Sequence, residues 1–148
     1  MTIIKHTSSE RDLLARLMRA EAVGEGDLGM LMVGNVGVNR GIADCLTFKN
    51  IRTISQVIYQ TPGGFSGKDS PLFFSAPTTT ERRLANLVLK GKYFHPATHA
   101  LWFYAPKTGE QCTPTWWGIK DIVAGSKVIV FIYLILLFVN KYDKHYLI

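Results

Sequence analysis

The sequence predicts one α+β domain, mostly helical with a small sheet, and three observations carry that prediction. The chain has 148 residues, the size of one domain and enough to bury a core without disulfides or metal. Ahead of Gly91, four stretches combine apolar residues at helical spacing with capping residues. Beyond them, Ala100-Leu101-Trp102-Phe103-Tyr104-Ala105 is a dense apolar and aromatic run between His99 and Pro106, which suits a buried strand better than a helix.

In the first helix, Leu13, Leu14, Leu17 and Met18 recur at three-and-four spacing. Ser9 followed three residues later by Asp12 reads as a variant capping box, placing the start near Glu10, and Gly24 and Gly26 stop the helix. The same register reaches Glu21 one turn on and Glu25 a turn later. A carboxylate on the core-facing stripe loses hydration, so its pKa should rise and it could hold a proton near neutral pH, as a general acid must. The plainer alternative is that Glu21 ends the buried face and pairs with Arg16 or Arg19.

Asp27 is placed to cap a second helix over residues 28 to about 39, with Leu31, Val33, Val36 and Val38 apolar. Gly29, Gly34 and Gly37 leave one side bare. A glycine costs about 1 kcal/mol inside a helix, so three of them imply close approach by another backbone. We expect this helix to lie against the first and hold Glu21. Asn39 and Arg40 end it with groups that can bond loop carbonyls. Thr53 caps a short helix to Gln60 with Ile54, Val57 and Ile58 inward.

Residues 61–79 form a long loop rich in turn residues, a length often tied to function. A fourth helix spans residues 80–90, capped by Thr80 and closed by Gly91, with Leu84, Leu87 and Val88 inward. In the strand that follows, Trp102 and Tyr104 alternate with Leu101 and Phe103, so one pair can face the core and the other a groove. Thr113-Pro114-Thr115-Trp116-Trp117 then shields one end of the sheet.

Lys and Arg outnumber Asp and Glu by 17 to 11, a net charge of +6 that favours an anionic polymer as partner. The basic residues are scattered and no nucleic-acid motif occurs, so nucleic acid is not the expected partner. Cys45 and Cys112 have neither CxxC spacing nor His neighbours; two buried thiols are expected, with no metal site and no cofactor. The N-terminus lacks the apolar core of a secretory signal.

Several stretches together carry a family resemblance: Ala15-Arg16-Leu17-Met18-Arg19-Ala20-Glu21-Ala22-Val23-Gly24-Glu25-Gly26, then Val33-Gly34-Asn35-Val36-Gly37-Val38-Asn39-Arg40, Ile58-Tyr59-Gln60 and Ala100-Leu101-Trp102-Phe103-Tyr104. The chain resembles the spore cortex-lytic cell wall hydrolases of the SleB/CwlJ type, most of all the short CwlJ-like branch without a separate wall-binding domain. The resemblance covers roughly residues 8 to 117. It implies a lysozyme-like, lytic-transglycosylase-like form of the α+β class, peptidoglycan glycan strands as substrate, and one essential acid, Glu21.

It also implies substrate contacts at Gln60, Phe65 and Ser66, which match a Gln-Pro-Gly-x-Phe-(Ser/Thr) segment with Thr61 intruding before Pro62. Trp102 and Tyr104 become cleft residues, with Glu25 and Asn39 supporting. Relatives of this kind are made in the mother cell cytoplasm and laid down at the spore coat outside the cortex, where a coat protein is an expected partner.

Ordinary glycosidases need two carboxylates. Between Asp27 and Glu81 the chain offers only Asp44 and Asp69, neither in a recognisable motif. A lytic transglycosylase avoids that need, because the sugar's own 6-hydroxyl attacks the anomeric carbon and one Glu serves as acid and then base. Lytic transglycosylase action is therefore expected, with water-dependent glucosaminidase or muramidase action as the near alternative. A non-catalytic cortex- or coat-binding protein is the contrasting reading.

The expected catalytic domain is 1–127, followed by an atypical apolar tail, 128–148. Residues 128–139 are unbroken apolar sequence. As a helix they span about 18 Å, short of the roughly 30 Å hydrocarbon layer. A buried strand, a re-entrant anchor and a membrane span are the readings in that order, so membrane contact is expected only if the tail is native. The tail is almost wholly Ile, Leu, Val, Phe, Tyr, Lys and Asn, residues with A/T-rich codons, which is also what a shifted reading frame produces.

Overall fold

A computed structural model describes residues 2–22, 24–44, 46–61, 64–95, 97–104, 122–124 and 130–133. Four helices come first, α1 (Ser8–Glu21), α2 (Gly26–Ala43), α3 (Ile54–Tyr59) and α4 (Thr79–Leu89). Three strands follow, β1 (Ala100–Tyr104), β2 (Ile122–Ala124) and β3 (Val130–Tyr133). The architecture is α+β and mostly helical, as the periodicity implied.

α1 starts two residues earlier than expected, because the capping box is Thr7 with Glu10. Glu10 N donates to Thr7 Oγ1 at 3.1 Å, and Thr7 N donates to Glu10 Oε1 at 3.2 Å. Asp12, expected to close the box from Ser9, instead accepts from Arg11 and Arg82. The second Glu10 oxygen accepts from Ser55 N at 2.9 Å and so joins the start of α3 to α1.

α2 packs against α1, α3, α4 and β1, while α1 and α4 also pack directly on each other. Gly24 (φ +77) and Gly26 (φ +71) make the left-handed turn from α1 into it. Glu25, not Asp27, occupies the N-cap, and it makes no side-chain capping bond. The helix also passes the expected end at Asn39 and stops at Ala43, before left-handed Asp44 (φ 47). A Cβ at Gly34 would lie 3.0 Å from Met18 of α1 and 3.0 Å from Val88 of α4. The bare side of α2 therefore admits side chains from two helices, where the sequence suggested a neighbouring backbone.

α3 is capped by Thr53, with Ile54, Val57 and Ile58 buried as expected. The cap of α4 is Thr78, not Thr80, since Thr78 has the spacing for a box with Glu81. Leu84, Ala85, Val88 and Leu89 face the core, while Leu87 packs at its edge. Gly91 (φ +89) closes α4, with Gly91 N donating to Val88 O and Lys92 N to Leu87 O.

The loop expected over 61–79 contains two short 3-10 turns, Ser66–Asp69 and Pro71–Phe73. Phe65 and Phe73 anchor it by entering the core. The sheet has the order β1-β3-β2 with both pairings antiparallel. β1 has an irregularity between Ala100 and Trp102. There Leu101 leaves the main core to pack with Phe48. From the apolar tail, Val130–Tyr133 forms the central strand. Residues 134–148, which carry most of the frame-shift reading, lie outside the described residues, as do Cys45, Cys112 and 113–117. Among the described residues no helix is long and apolar enough to cross a membrane.

Arg19 fastens the long loop to α1. Its guanidinium donates to Leu72 O at 2.6 and 3.0 Å, Ser75 O at 2.6 Å and Ala76 O at 3.2 Å, and pairs with Glu81 at 2.9 Å. The pair is largely withdrawn from water, with side-chain exposures of 17% and 11%. Arg19→Met would leave the Glu81 carboxylate with only the Thr78 N–H and release three carbonyls to water, so a loss of about 2 kcal/mol is expected, in the range of a hydrogen bond to a charged group. Urea unfolding checks this. A change below about 0.5 kcal/mol, the range of ordinary surface substitutions, would show that the clamp contributes nothing.

Candidate functional site

Glu21 is the last residue of α1, where the helix stops at the left-handed turn. A residue there keeps the helix's rigidity while its side chain leaves the end of the core stripe formed by Leu14, Leu17 and Met18. Its carboxylate meets the turn Ser66–Asp69, and Gly67 N donates to Glu21 Oε1 at 2.6 Å. A side chain there would have to displace the acid: a Cβ at Gly67 would lie 2.9 Å from Glu21 Cδ, Cγ and Oε1. One carboxyl oxygen is thus fixed by the protein, leaving Oε2 to exchange a proton.

Burial pushes the Glu21 carboxyl above the ordinary carboxylate range. The Gly67 N–H and the positive charges of Arg40 and Lys68 pull the other way and do not cancel it. Neither Arg16 nor Arg19 is its partner. Arg19 holds Glu81, and Arg16 stacks on Phe73 at 4.7 Å.

Arg40 is the buried cation of the site, 5% exposed on α2. Its guanidinium lies between two rings, 4.1 Å from the centroid of Phe65 and 5.0 Å from that of Phe48, and Nε donates to Leu101 O at 2.8 Å. Burial lowers its pKa to about 10, with Glu21 acting in the opposite sense, so it stays charged at neutral pH. Lys68 donates to Phe65 O at 3.2 Å and lies 4.0 Å from the exposed Asp69 carboxylate.

The other expected residues divide around this centre. Ser66 begins the turn beside Glu21 and is exposed. Phe65 is 3% exposed, and its ring meets Arg40 on one side and Phe103 at 6.1 Å, so it supports the site from inside the core. Trp102 is half-buried, 5.3 Å from Phe48, and joins the centre through that ring. Tyr104 pairs through its backbone with Val130, and its side chain lies outside the described residues.

Gln60 ends α3, where Nε2 donates to Thr47 O at 2.7 Å while Oε1 is buried without a partner among the described residues. Glu25 begins α2 and is not among the charges acting on Glu21. Asn39 is 6% exposed and donates to Ala97 O, Thr98 O and Ala100 O at 3.1, 3.3 and 2.9 Å, holding the approach to β1.

Sequence reasoning missed Gly67 and Lys68 and assigned Arg40 only a structural task. Gly67 lies in a loop that already has several glycines, so composition could not single it out. Among the described residues, no group of three His, Cys, Asp or Glu could hold a metal ion.

Residues 24–132 match the family model described as Cell Wall Hydrolase, a segment that begins three residues after Glu21. Proteins named cell wall hydrolase CwlJ from Oceanobacillus iheyensis, Halalkalibacterium halodurans and Bacillus subtilis are 52%, 48% and 44% identical to this chain over 118 residues. Those alignments cover 80% of this chain and 82%, 81% and 81% of the relatives. Among solved structures, the catalytic domain of the Bacillus cereus SleB protein superposes with a TM-score of 0.67 at 23% identity, covering 86% of this chain and 92% of that one. The catalytic domain of the germination-specific lytic transglycosylase SleB from Bacillus anthracis gives 0.66 at 21% identity, covering 86% and 96%. The fold is therefore that of the SleB catalytic domains, in line with the lysozyme-like form expected.

Gly67→Ala is expected to push the Glu21 carboxylate away and break its bond to the turn. That bond holds the pKa down, so its loss should raise the Glu21 pKa further. Carbon-13 NMR titration of the carboxyl reads the shift directly, and an unchanged midpoint would show that the turn admits a Cβ without moving the acid.

Proposed function

This chain belongs to the cell wall hydrolase family, and on that premise we propose that it cleaves the glycan strands of spore cortex peptidoglycan during germination, with Glu21 as its single acid and base. The supporting observation is the state of that carboxyl: raised in pKa by burial, fixed at one oxygen by Gly67 N–H, and without a hydrogen-bond partner at the other among the described residues. At neutral pH a raised carboxyl retains a larger protonated fraction than an ordinary one, which a proton donor needs.

The first step passes the Glu21 proton to the glycosidic oxygen as the bond from that oxygen to the anomeric carbon breaks. Positive charge develops on the ring, and the carboxylate left behind stabilises it. Glu21 then takes the proton of the muramic acid 6-hydroxyl as that oxygen bonds to the anomeric carbon. The products are a 1,6-anhydro end and a free 4-hydroxyl, and Glu21 is protonated again. No water is consumed and no second carboxylate is required. Among the described residues the charges acting on Glu21 are both positive, Arg40 and Lys68, which fits a one-carboxylate mechanism better than a two-carboxylate one. We further propose that the enzyme acts at the boundary of spore coat and cortex, alongside a coat protein.

Glu21→Gln tests the role. The folded pKa of Glu21 is raised above its unfolded value of about 4.3. Its protonated form therefore contributes stability below that value, and the contribution is lost as pH rises through the folded pKa. The amide avoids the cost of the buried charge and can still accept from Gly67 N–H. The variant is expected to melt no lower than the parent near neutral pH while losing two to four orders of magnitude in cortex lysis. Parental activity should fall on the alkaline side as Glu21 ionises. A destabilised but active variant would overturn the assignment. Mass spectrometry of cortex fragments separates the chemistries: anhydro ends mark the transglycosylase, and reducing muramic acid or glucosamine ends would mark water-dependent cleavage.

A further inference from the structure

The turn Ser66–Asp69 brings a second group to the acid besides Gly67 N–H. Lys68 folds back across the turn, and its Nζ donates to Phe65 O at 3.2 Å. Phe65 is itself fixed, with its ring buried against Arg40 and Phe103. The Lys68 side chain keeps an exposure of 21%, against 80% for Asp69, whose carboxylate lies 4.0 Å from Nζ. A contact that long to a solvated carboxylate leaves most of the ammonium's charge uncancelled.

The charged groups around Glu21 come from each element packed there. On α1 itself, Arg19 holds Glu81 of α4, and Arg16 stacks on Phe73. On α2, Arg40 acts on the carboxyl and Glu25 does not; on the turn, Lys68 acts and Asp69 does not. The two cations differ in kind. Arg40 lies between two rings and donates to Leu101 O, so it is built into the core. Lys68 sits at the rim and donates to one carbonyl among the described residues, so its charge can be removed without opening the interior.

We infer that Lys68 is a positioning residue for the acid: tied back to Phe65 O on the turn that bonds Glu21, its ammonium stabilises the carboxylate left when Glu21 gives up its proton. This role rests on the acid-and-base cycle proposed above, in which Glu21 is anionic only between protonating the glycosidic oxygen and taking the proton of the 6-hydroxyl. A cation favours the first step, where the charge forms, and opposes the second, where it is discharged. Lys68 thereby sets how strong an acid Glu21 is, while burial keeps enough of it protonated to act.

Lys68→Met, Lys68→Gln and Lys68→Arg test this by carbon-13 NMR titration of the Glu21 carboxyl and by the pH dependence of kcat/KM for cortex lysis. A nearby cation favours the anion, so its loss raises the Glu21 pKa. In Lys68→Met the NMR midpoint and the alkaline limb should both move to higher pH, while the rate on the acid side falls about threefold, because a weaker acid transfers its proton more slowly. The profiles of parent and variant then cross, which structural damage alone does not produce. Lys68→Arg keeps the charge and should hold the parent's midpoint and limb. Lys68→Gln keeps a donor for Phe65 O without the charge and should follow Lys68→Met.

An unmoved midpoint in Lys68→Met would overturn the inference, and so would a Lys68→Gln variant that titrates like the parent, since the tether and not the charge would then matter. Should Lys68→Met fail to fold, Lys68→Gln decides on the same two readouts. Lysis that needs Glu21 but has a limb indifferent to Lys68 would remove this role and keep the proposed function. A midpoint that follows Lys68 in a protein without lytic activity would do the reverse, because the NMR titration needs no substrate.

Discussion

The contact between α1 and the segment from Phe65 to Ala76 governs how this domain presents its acid. Two residues two positions apart on the helix grip that segment. Glu21 accepts the Gly67 N–H at the first turn, and Arg19 gathers the carbonyls of Leu72, Ser75 and Ala76 further on. Glu81 closes the arrangement, because the oxygen that pairs with Arg19 also accepts from Thr78 N at the start of α4. A segment with little regular structure is thereby held to two helices by charge-assisted bonds, which are shorter and stronger than neutral ones. Without that hold, nothing in its own turns would keep Gly67 within 2.6 Å of a carboxylate.

α2 performs the corresponding task from the other side. Asn35 exchanges bonds with Lys92 O and Phe94 N, Asn39 takes three carbonyls from the approach to β1, and Arg40 takes Leu101 O. These side chains sit four and one residues apart on a helix otherwise buried in oil. Each is satisfied by backbone that would otherwise lie unpaired in the interior. Their placement fixes where the chain enters the sheet, and so where Trp102 and Phe103 come to lie.

Arg40 adds an electrostatic role to this structural one. Between Phe48 and Phe65 it is shielded from water, so its charge reaches Glu21 with less screening than a surface arginine would have. The site balances two opposed effects on one carboxyl. Burial disfavours the anion, while a backbone N–H and two cations favour it, and burial dominates. A carboxyl under such balance can release a proton and take it back without a large change in free energy, which suits the acid-and-base role proposed for Glu21.

Much of this was decided locally and could be read from the chain. The apolar spacing of Leu13, Leu14, Leu17 and Met18 put Glu21 at the end of a buried stripe, and the burial that raises its pKa was expected from that position. Thr53 and the inward Ile54, Val57 and Ile58 were equally plain, since a cap and a helical face involve only residues within one or two turns. The caps of α1 and α4 were misplaced by two residues because Ser9 and Thr80 are also acceptable caps, and the choice fell to the glutamates at Glu10 and Glu81, which complete a box only with Thr7 and Thr78. The partners of the charged groups were not legible. Arg16, Arg19 and Arg40 are alike in sequence, yet one stacks on Phe73, one clamps a loop and one lies between two rings near the acid. Which of these an arginine does depends on residues dozens of positions away that only folding brings within reach, and the same holds for Gly67, whose missing side chain matters only because Glu21 arrives beside it.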